Sequence, residues 1–252
     1  MHTFENDMDE ITEFVVFRYV PDGTNKRELI KGDKVSVRRE SGSELQRSFD
    51  TLGNTNNRKQ GDKNPGTEEH MSKTAIFFAT GYEEIEALTV VDILRRAGEE
   101  ITMVSITDER SVTSSHGVEV TMDKILSEVN FDETDVIVLP GGMPGTKNLE
   151  ACEALMEQVD AFVKAGKTVA AVCAAPSILG HRGLLKGKKA CSFPDMESQL
   201  EGAEVLREPA VIDGNIITGR GMGAAIPFGL AILEKLQGKE AAEAMGKKIV
   251  YM

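Results

Sequence analysis

The chain has 252 residues, and its hydrophobic content of 40% suffices for the core of one large domain with an appendage. Its formal net charge of −12 gives no electrostatic footprint for nucleic acid. No segment approaches the roughly 18–20 consecutive apolar residues of a membrane span, and the acidic N-terminus does not resemble a signal peptide. Three cysteines without paired spacing argue against a disulfide framework or a metal site, so we expect a soluble cytoplasmic protein with reduced thiols and no membrane partner.

The first part of the chain is predicted to form a head and a linker. Short strands at 13–20 and 34–38 flank a turn, which makes residues 1–40 a small strand-containing head of unknown role. Residues 41–72 are mostly Gly, Asn, Lys, Glu and Ser and are predicted to be a disordered linker. The main domain is predicted at 73–252, and Met71 just before it raises the hypothesis of a second translation start.

From residue 74 onward, strand and helix patterns alternate. Strands are predicted at 76–79, 101–106, 135–139, 168–172, 189–191 and 211–218, with a hairpin around 114–117. Helices are predicted at Glu84–Ala97, 125–129, 149–165, 176–185, 224–236 and from residue 239. Within the first long helix, the predicted apolar face consists of Ile85, Leu88, Val91 and Leu94. This alternation indicates an α/β fold whose mainly parallel sheet is covered on both faces and binds ligands beyond the carboxyl ends of its strands.

Cys173 stands between an apolar strand at 168–172 and a helix that begins near Pro176. Proline suits the first helical turn because its missing N–H would be unpaired there. Unpaired backbone N–H groups and the positive end of the helix dipole stabilise a thiolate. The pattern therefore predicts a nucleophile with a lowered pKa, with a buried structural cysteine as the alternative.

Two other segments place polar groups at strand ends. Gly141 and Gly142 follow the strand at 135–139, where backbone N–H groups can form an oxyanion hole or a simple turn. The acidic run 83–86 opens the first helix, where capping is the ordinary role. If the first and fourth parallel strands lie close together, one of these carboxyls can reach the Cys173 thiol and act as general acid or base.

Three further features have plainer interpretations. The loop at 218–223 superficially resembles a phosphate loop but lacks its Lys-Ser/Thr pair, and we predict a structural turn. His116 is predicted to be a surface or interface residue, with an accessory role in the site as the alternative. His181 is predicted to lie at the surface.

Taken together, four segments carry a family resemblance: Gly81-Tyr82-Glu83-Glu84-Ile85-Glu86, Leu139-Pro140-Gly141-Gly142, Ala170-Ala171-Val172-Cys173-Ala174-Ala175-Pro176 and Thr218-Gly219-Arg220-Gly221. Over about residues 73–252 the chain resembles the ThiJ/PfpI superfamily, specifically its DJ-1-like branch, which has the class I glutamine amidotransferase-like fold. The resemblance implies a flavodoxin-like three-layer sandwich, usually a homodimer. It implies Cys173 as nucleophile, Glu86 as its acid partner, and an oxyanion pocket of Gly142 and Ala174 N–H groups beside Gly141.

The activity implied by this resemblance is that of a cofactor-independent glyoxalase or deglycase acting on methylglyoxal, glyoxal or early glycation adducts of side chains. Family members with glyoxalase chemistry often have a histidine before the proline of the segment 190–194, where this chain has Phe193. Without that base, the alternative is a redox-sensing cysteine protein or chaperone that responds to peroxide. A protease is disfavoured, because Ala174 and Ala175 follow the nucleophile where a histidine would be needed.

Overall fold

The computed structural model describes residues 72–251, so the predictions for the head, the linker and Met71 lie outside the described residues. The strands are β1 (Lys73–Phe78), β2 (Glu100–Ser105), β3 (Ser111–Thr113), β4 (Glu119–Thr121), β5 (Lys124–Ile125), β6 (Val136–Leu139), β7 (Thr168–Val172), β8 (Lys189–Ala190), β9 (Glu204–Val205), β10 (Ala210–Asp213) and β11 (Ile216–Gly219). The helices are α1 (Glu84–Ala97), α2 (Gly145–Glu150), α3 (Glu153–Ala165), α4 (Pro176–His181), α5 (Ala225–Gln237) and α6 (Lys239–Lys248), with 3-10 turns at Leu126–Glu128, Pro194–Gln199 and Met222–Ala224. None of these helices combines the length and apolarity needed to cross a bilayer.

A seven-stranded sheet forms the centre, in the order β10-β11-β7-β6-β1-β2-β5. All neighbouring pairs are parallel except β10 and β11, which pair antiparallel. The predicted α/β fold with a mainly parallel sheet is therefore confirmed. The first and fourth parallel strands, β1 and β7, are separated by β6, so the loops after all three strands emerge at one edge.

Alternate residues of the central strands enter two separate cores, because successive side chains of a strand point to opposite faces. Ile76 and Phe78 of β1 belong to the core beneath α1, α5 and α6, whereas Ala75 and Phe77 belong to the core beneath α2, α3 and α4. All four side chains are almost fully buried. This two-sided burial explains why the strands read as continuous apolar runs.

Three predicted elements differ from those in the structure. The helix expected at 149–165 is two helices, α2 and α3, because Leu149 and Leu155 would lie about 120° apart on a continuous helix and the break lets both be buried. The strand expected at 211–218 is the β10–β11 hairpin. The helix expected at 176–185 ends at His181, because Gly183 adopts a left-handed φ of 70° and closes the helix.

The predicted apolar face of α1 is only partly the buried face. Val91 and Leu94 are buried as expected, but Ile85 is 50% exposed. The buried stripe instead includes Glu86, a carboxylate with no exposed surface. The helix is therefore rotated relative to the sequence prediction, so that a charged group faces inward and an isoleucine faces outward.

Gly180 allows α4 to pack against the segment that follows β8. A Cβ at this position would overlap the Gln199 carbonyl oxygen and lie 2.9 Å from the Glu201 nitrogen. We expect Gly180→Ala to lower the free energy of unfolding by about 1–3 kcal/mol, although alanine has the higher helix propensity, because backbone atoms must move. Urea denaturation tests this.

Gly223→Ala is the matched control, since a Cβ at Gly223 meets no atom within 4 Å. We expect it to change the free energy of unfolding by less than about 0.5 kcal/mol. Equal stability of the two variants would contradict this account of the α4 packing.

Candidate active site

Cys173 lies on a sharp turn between β7 and α4. Its φ of 62° is left-handed, a region that non-glycine residues rarely occupy and that costs energy unless the surroundings hold it. The Cys173 N–H donates to the Gly219 carbonyl oxygen at 2.9 Å, and the Phe193 N–H donates to the Cys173 carbonyl oxygen at 2.8 Å. The strained turn is thus fixed from both sides, and it presents the half-buried thiol at the carboxyl edge of the sheet.

Glu86 reaches this thiol from the first turn of α1. Its Oε2 accepts a hydrogen bond from the Gly141 N–H at 3.0 Å. Oε1 is buried and has no partner at full hydrogen-bond geometry, and the side chain that the carboxyl interacts with is the Cys173 thiol. The thiol–carboxyl contact is therefore looser than a standard hydrogen bond.

Burial raises the pKa of Glu86 to about 7, because a carboxylate loses its hydration in this position. The contact with the Cys173 thiol lowers this pKa, the charge of Glu83 raises it further, and the Gly141 N–H lowers it. A carboxyl that titrates near neutral pH can both accept and donate a proton under physiological conditions.

The thiol itself is held in its neutral form while Glu86 is ionised. Burial raises the pKa of Cys173 to about 12, and the charge and hydrogen bond of Glu86 contribute in the same direction. Backbone N–H groups of Ala174 and Gly142 bond the sulfur and oppose this rise. The prediction that the helix start lowers the thiol pKa is wrong, since burial and the carboxylate outweigh the N–H groups. Protonation of Glu86 removes the carboxylate charge that opposes ionisation of the Cys173 thiol.

Gly141 fills the narrow space between the acid and the nucleophile. A Cβ there would lie 2.5 Å from Glu86 Oε2 and 2.6 Å from the Cys173 Cβ, so any side chain would separate the pair. Gly142 has a left-handed φ of 92°, which directs its N–H to the sulfur beside that of Ala174. The structure therefore brings five of the residues singled out in the sequence into one cluster: Cys173, Glu86, Gly141, Gly142 and Ala174.

His116 and His181 lie outside this cluster and make surface contacts. The His116 side chain is 69% exposed, and its Nδ1 lies 3.1 Å from Glu84 Oε1. His181 Nδ1 lies 2.6 Å from Glu150 Oε1. The accessory role considered for His116 has no contact with Cys173 to support it among residues 72–251.

One group of potential metal ligands occurs within the part of the chain that the structure describes. Ligand atoms of Glu83, Glu84 and His116 lie within 4.8 Å of one another. Glu83 Oε2 already accepts the Glu86 N–H at 2.6 Å as the cap of α1, and Glu84 pairs with His116. The helix N-terminus is a poor place for a cation, so this group is best described as a cap and an ion pair.

The loop after β11 was predicted as a structural turn, yet it borders the nucleophile. A Cβ at Gly221 would lie 3.9 Å from Cys173 Sγ and 3.6 Å from Cδ2 of Phe193. Because Gly219 is in register with Val172, the loops after β11 and β7 leave the sheet side by side. The glycine-rich composition was the available signal, but the pairing of these strands is a property of the sheet order.

Known proteins resemble this chain over the same region. The sequence model of the DJ-1/PfpI family matches residues 72–235. Protein dj-1beta of Drosophila melanogaster is 37% identical over 183 residues, which are 71% of this chain and 98% of that protein. The Caenorhabditis elegans protein named glutathione-independent glyoxalase DJR-1.2 is 31% identical over 168 residues, 66% of this chain and 89% of that protein.

The solved structure of oxidized Toxoplasma gondii DJ-1 superposes with a TM-score of 0.68 at 36% identity, covering 71% of this chain and 98% of that chain. Some relatives are much longer than the matched region. Protein DJ-1 homolog A of Arabidopsis thaliana is 38% identical over 176 residues, 68% of this chain but 45% of that protein. The chain thus spans about half the length of such relatives.

The raised pKa of Glu86 makes stability depend on pH. Folding raises this pKa from about 4.3 in an unfolded chain to about 7. The neutral Glu86 carboxyl therefore contributes its full stabilisation below the pKa of the unfolded chain. This stabilisation is lost as the pH rises through the pKa of the folded protein. We expect the unfolding free energy of Glu86→Gln, relative to that of the parent, to rise by about 2.5 kcal/mol between pH 5 and pH 8.5.

Urea denaturation at both pH values measures this gain. Glu157→Gln, which alters an exposed glutamate of α3, is the control and should show no such pH-dependent difference. A Glu86→Gln variant whose stability relative to the parent is the same at both pH values would mean that Glu86 is not a buried group titrating near neutrality.

Proposed function

This chain belongs to the DJ-1/PfpI family, and from that premise we propose that it is a cofactor-independent, cysteine-dependent glyoxalase that converts 2-oxoaldehydes into 2-hydroxy acids. One observation carries the proposal: a buried carboxyl with a pKa of about 7 and two backbone N–H groups converge on the Cys173 sulfur. Methylglyoxal would give lactate and glyoxal would give glycolate, with water as the co-reactant.

In the first step, the Cys173 sulfur forms a bond to the aldehyde carbon. The thiol proton passes to Glu86, which removes the carboxylate charge that opposes thiolate formation. Glu86 gives this proton to the aldehyde oxygen, which becomes the hydroxyl of a hemithioacetal, and Glu86 is again a carboxylate. The N–H groups of Gly142 and Ala174, which bond the sulfur at rest, would stabilise that oxygen while it carries charge.

Glu86 then moves a proton from the former aldehyde carbon to the former ketone carbon. This transfer oxidises the first carbon and reduces the second. The Glu86 carboxylate takes the proton from the former aldehyde carbon, and an enediolate forms as the electron pair shifts to the ketone oxygen. Return of this proton to the former ketone carbon, with the hydroxyl proton passing from the first oxygen to the second, gives a thioester of the 2-hydroxy acid. Water cleaves the thioester, releasing the acid and regenerating the thiol. Phe193 cannot transfer protons, so Glu86 performs both transfers.

The relatives support an activity of this kind. The Caenorhabditis elegans relative is named a glutathione-independent glyoxalase, and the matched region covers 89% of it. The related deglycase activity, on early glycation adducts of Cys, Lys and Arg side chains, would use the same thiol and acid. The proposed location is the cytoplasm, because the three cysteines are free thiols.

A redox-sensing role is the second candidate, and the environment of Glu86 favours it. Its buried Oε1 has no full hydrogen bond, so a protonated carboxyl can donate to an oxygen added to the Cys173 sulfur. The N–H groups of Gly142 and Ala174 can donate to a second such oxygen. The absence of a histidine at Phe193 leaves these groups intact while removing a base used for turnover.

A second copy of this chain is the proposed partner for an apolar groove along α1. The groove has a volume of about 660 Å³ and is lined by residues of α1, the β3–β4 hairpin, α5 and the chain end. Its exposed apolar members are Ile85, Val118 and Val250. Glu84, Asp92 and Lys248 also line the groove, so both charge signs are present for a self-complementary two-fold contact.

Variants of the full chain test the enzymatic proposal by methylglyoxal consumption and lactate formation. We expect Cys173→Ala to abolish turnover, because the covalent intermediate cannot form. We expect Glu86→Gln to lower kcat at least about 100-fold, because a proton relay is lost. Cys152→Ala, which removes another half-buried free thiol, is the control and should keep parental activity.

Full turnover by Cys173→Ala would overturn the enzymatic proposal. A parent chain without turnover, in which dilute peroxide adds two oxygen atoms to Cys173 before Cys152 reacts, would favour the redox role instead. Peptide mass spectrometry distinguishes the two cysteines.

Light scattering after size-exclusion chromatography tests the homodimer. We expect the parent chain to have twice the chain mass and Ile85→Glu to have the mass of one chain, because a charge would be buried at the centre of the contact. Ile212→Glu is the control, since Ile212 is 39% exposed on β10 and does not line the groove. A dimeric Ile85→Glu protein would exclude this groove as the interface.

A further inference from the structure

Three exposed apolar side chains belong to the loops that form the Cys173 site, and we call them the apolar rim: Met143, Phe193 and Met222. Their exposed fractions are 40%, 43% and 56%. Each is anchored through backbone that forms the site. Met143 follows Gly142, Met222 follows Gly221, and the Phe193 N–H bonds the Cys173 carbonyl oxygen at 2.8 Å. Large apolar groups exposed next to a reactive group mark a ligand surface.

Phe193 is the member of the rim whose ring lies near the nucleophile. The point where a Gly221 Cβ would lie is 3.6 Å from Phe193 Cδ2 and 3.9 Å from Cys173 Sγ. The ring edge and the sulfur therefore both border the space that Gly221 leaves open. A flat apolar group bonded next to a carbonyl under attack by the sulfur would lie against this ring.

The charged residue that precedes Gly221 in the chain is engaged elsewhere. Arg220 stands between Gly219 and Gly221, but its Nη1 donates to the Arg207 carbonyl oxygen at 3.1 Å and its Nη2 lies 3.5 Å from Glu197 Oε1. A guanidinium paired in this way has less capacity to bind a carboxylate or phosphate on a substrate. The recognition elements at the entrance are therefore apolar and aromatic.

Resting on the proposed glyoxalase function, we propose that the site takes 2-oxoaldehydes with an aromatic or large apolar substituent, and that Phe193 determines this specificity. Such a substrate, for example phenylglyoxal, would stack its ring on Phe193 while Cys173 adds to the aldehyde carbon. With one water molecule it becomes an aryl 2-hydroxy acid. The aldehyde carbon is oxidised to a carboxylate, the ketone carbon is reduced to an alcohol, and the thiol is regenerated, so no external oxidant is required.

The first test compares kcat/KM of the full chain for phenylglyoxal, followed as mandelate, and for methylglyoxal, followed as lactate. We expect the parent to prefer phenylglyoxal at least about tenfold. Phe193→Ala should reduce that preference about tenfold, whereas Phe193→Leu should retain part of it. Ile212→Ala removes a similarly exposed apolar group from β10 and should behave as the parent.

A second test measures recognition of an aromatic group in the absence of turnover. It compares the rates at which N-phenylmaleimide and N-ethylmaleimide alkylate Cys173. Cys152 in the same molecule is the internal reference for intrinsic reactivity. We expect the ratio of the N-phenylmaleimide rate to the N-ethylmaleimide rate to be about tenfold higher at Cys173 than at Cys152. This difference should disappear in Phe193→Ala.

The two tests separate the two levels of the proposal. Preferential aromatic alkylation without turnover of either dicarbonyl would contradict the glyoxalase function and retain the aromatic-binding rim. Turnover of methylglyoxal with no aromatic preference in either assay would overturn the inference and retain the glyoxalase. A preference that survives Phe193→Ala would show that Phe193 does not determine specificity.

Discussion

The burial of the Glu86 carboxyl beside the Cys173 thiol is the constraint on which the rest of the site depends. A carboxyl without exposed surface is costly unless it is neutral or hydrogen-bonded, and this one has the Gly141 N–H and the thiol as its partners. The resulting competition for one proton couples the two groups. Burial gives the acid a pKa of about 7, and the ionised acid in turn opposes formation of the thiolate.

The fold satisfies this constraint by bringing three loops together at one edge of the sheet. The strands β1, β6 and β7 are neighbours, so the start of α1, the Gly141 loop and the Cys173 turn emerge side by side. β11 adds the fourth loop, and its Gly219 carbonyl oxygen holds the Cys173 N–H. Two apolar cores, one on each face of the sheet, make this edge rigid, which permits the strained φ of Cys173.

We propose that specificity depends on side chains outside this centre, which contribute little to the cores. Phe193 has an exposed side chain, while its backbone N–H is bonded to the Cys173 carbonyl oxygen. The side chain at this position can therefore vary without disturbing the turn that holds the nucleophile. The thiol, the acid and the N–H groups can thus be retained while the entrance is altered, because the entrance is formed by exposed side chains and the centre by buried ones.

The sequence alone determined the alternation of strands and helices, the turn at Cys173 and the acidic start of α1, because these depend on local periodicity and on glycine and proline positions. Residues 81–86 and 139–142 also identified the acid and the glycine pair through family resemblance. Tertiary structure alone decided that α1 turns Glu86 inward and Ile85 outward, that helix 149–165 is broken, and that the Gly221 loop borders the sulfur. It also reversed the expected thiol pKa, since burial and a nearby carboxylate arise from residues distant in the chain.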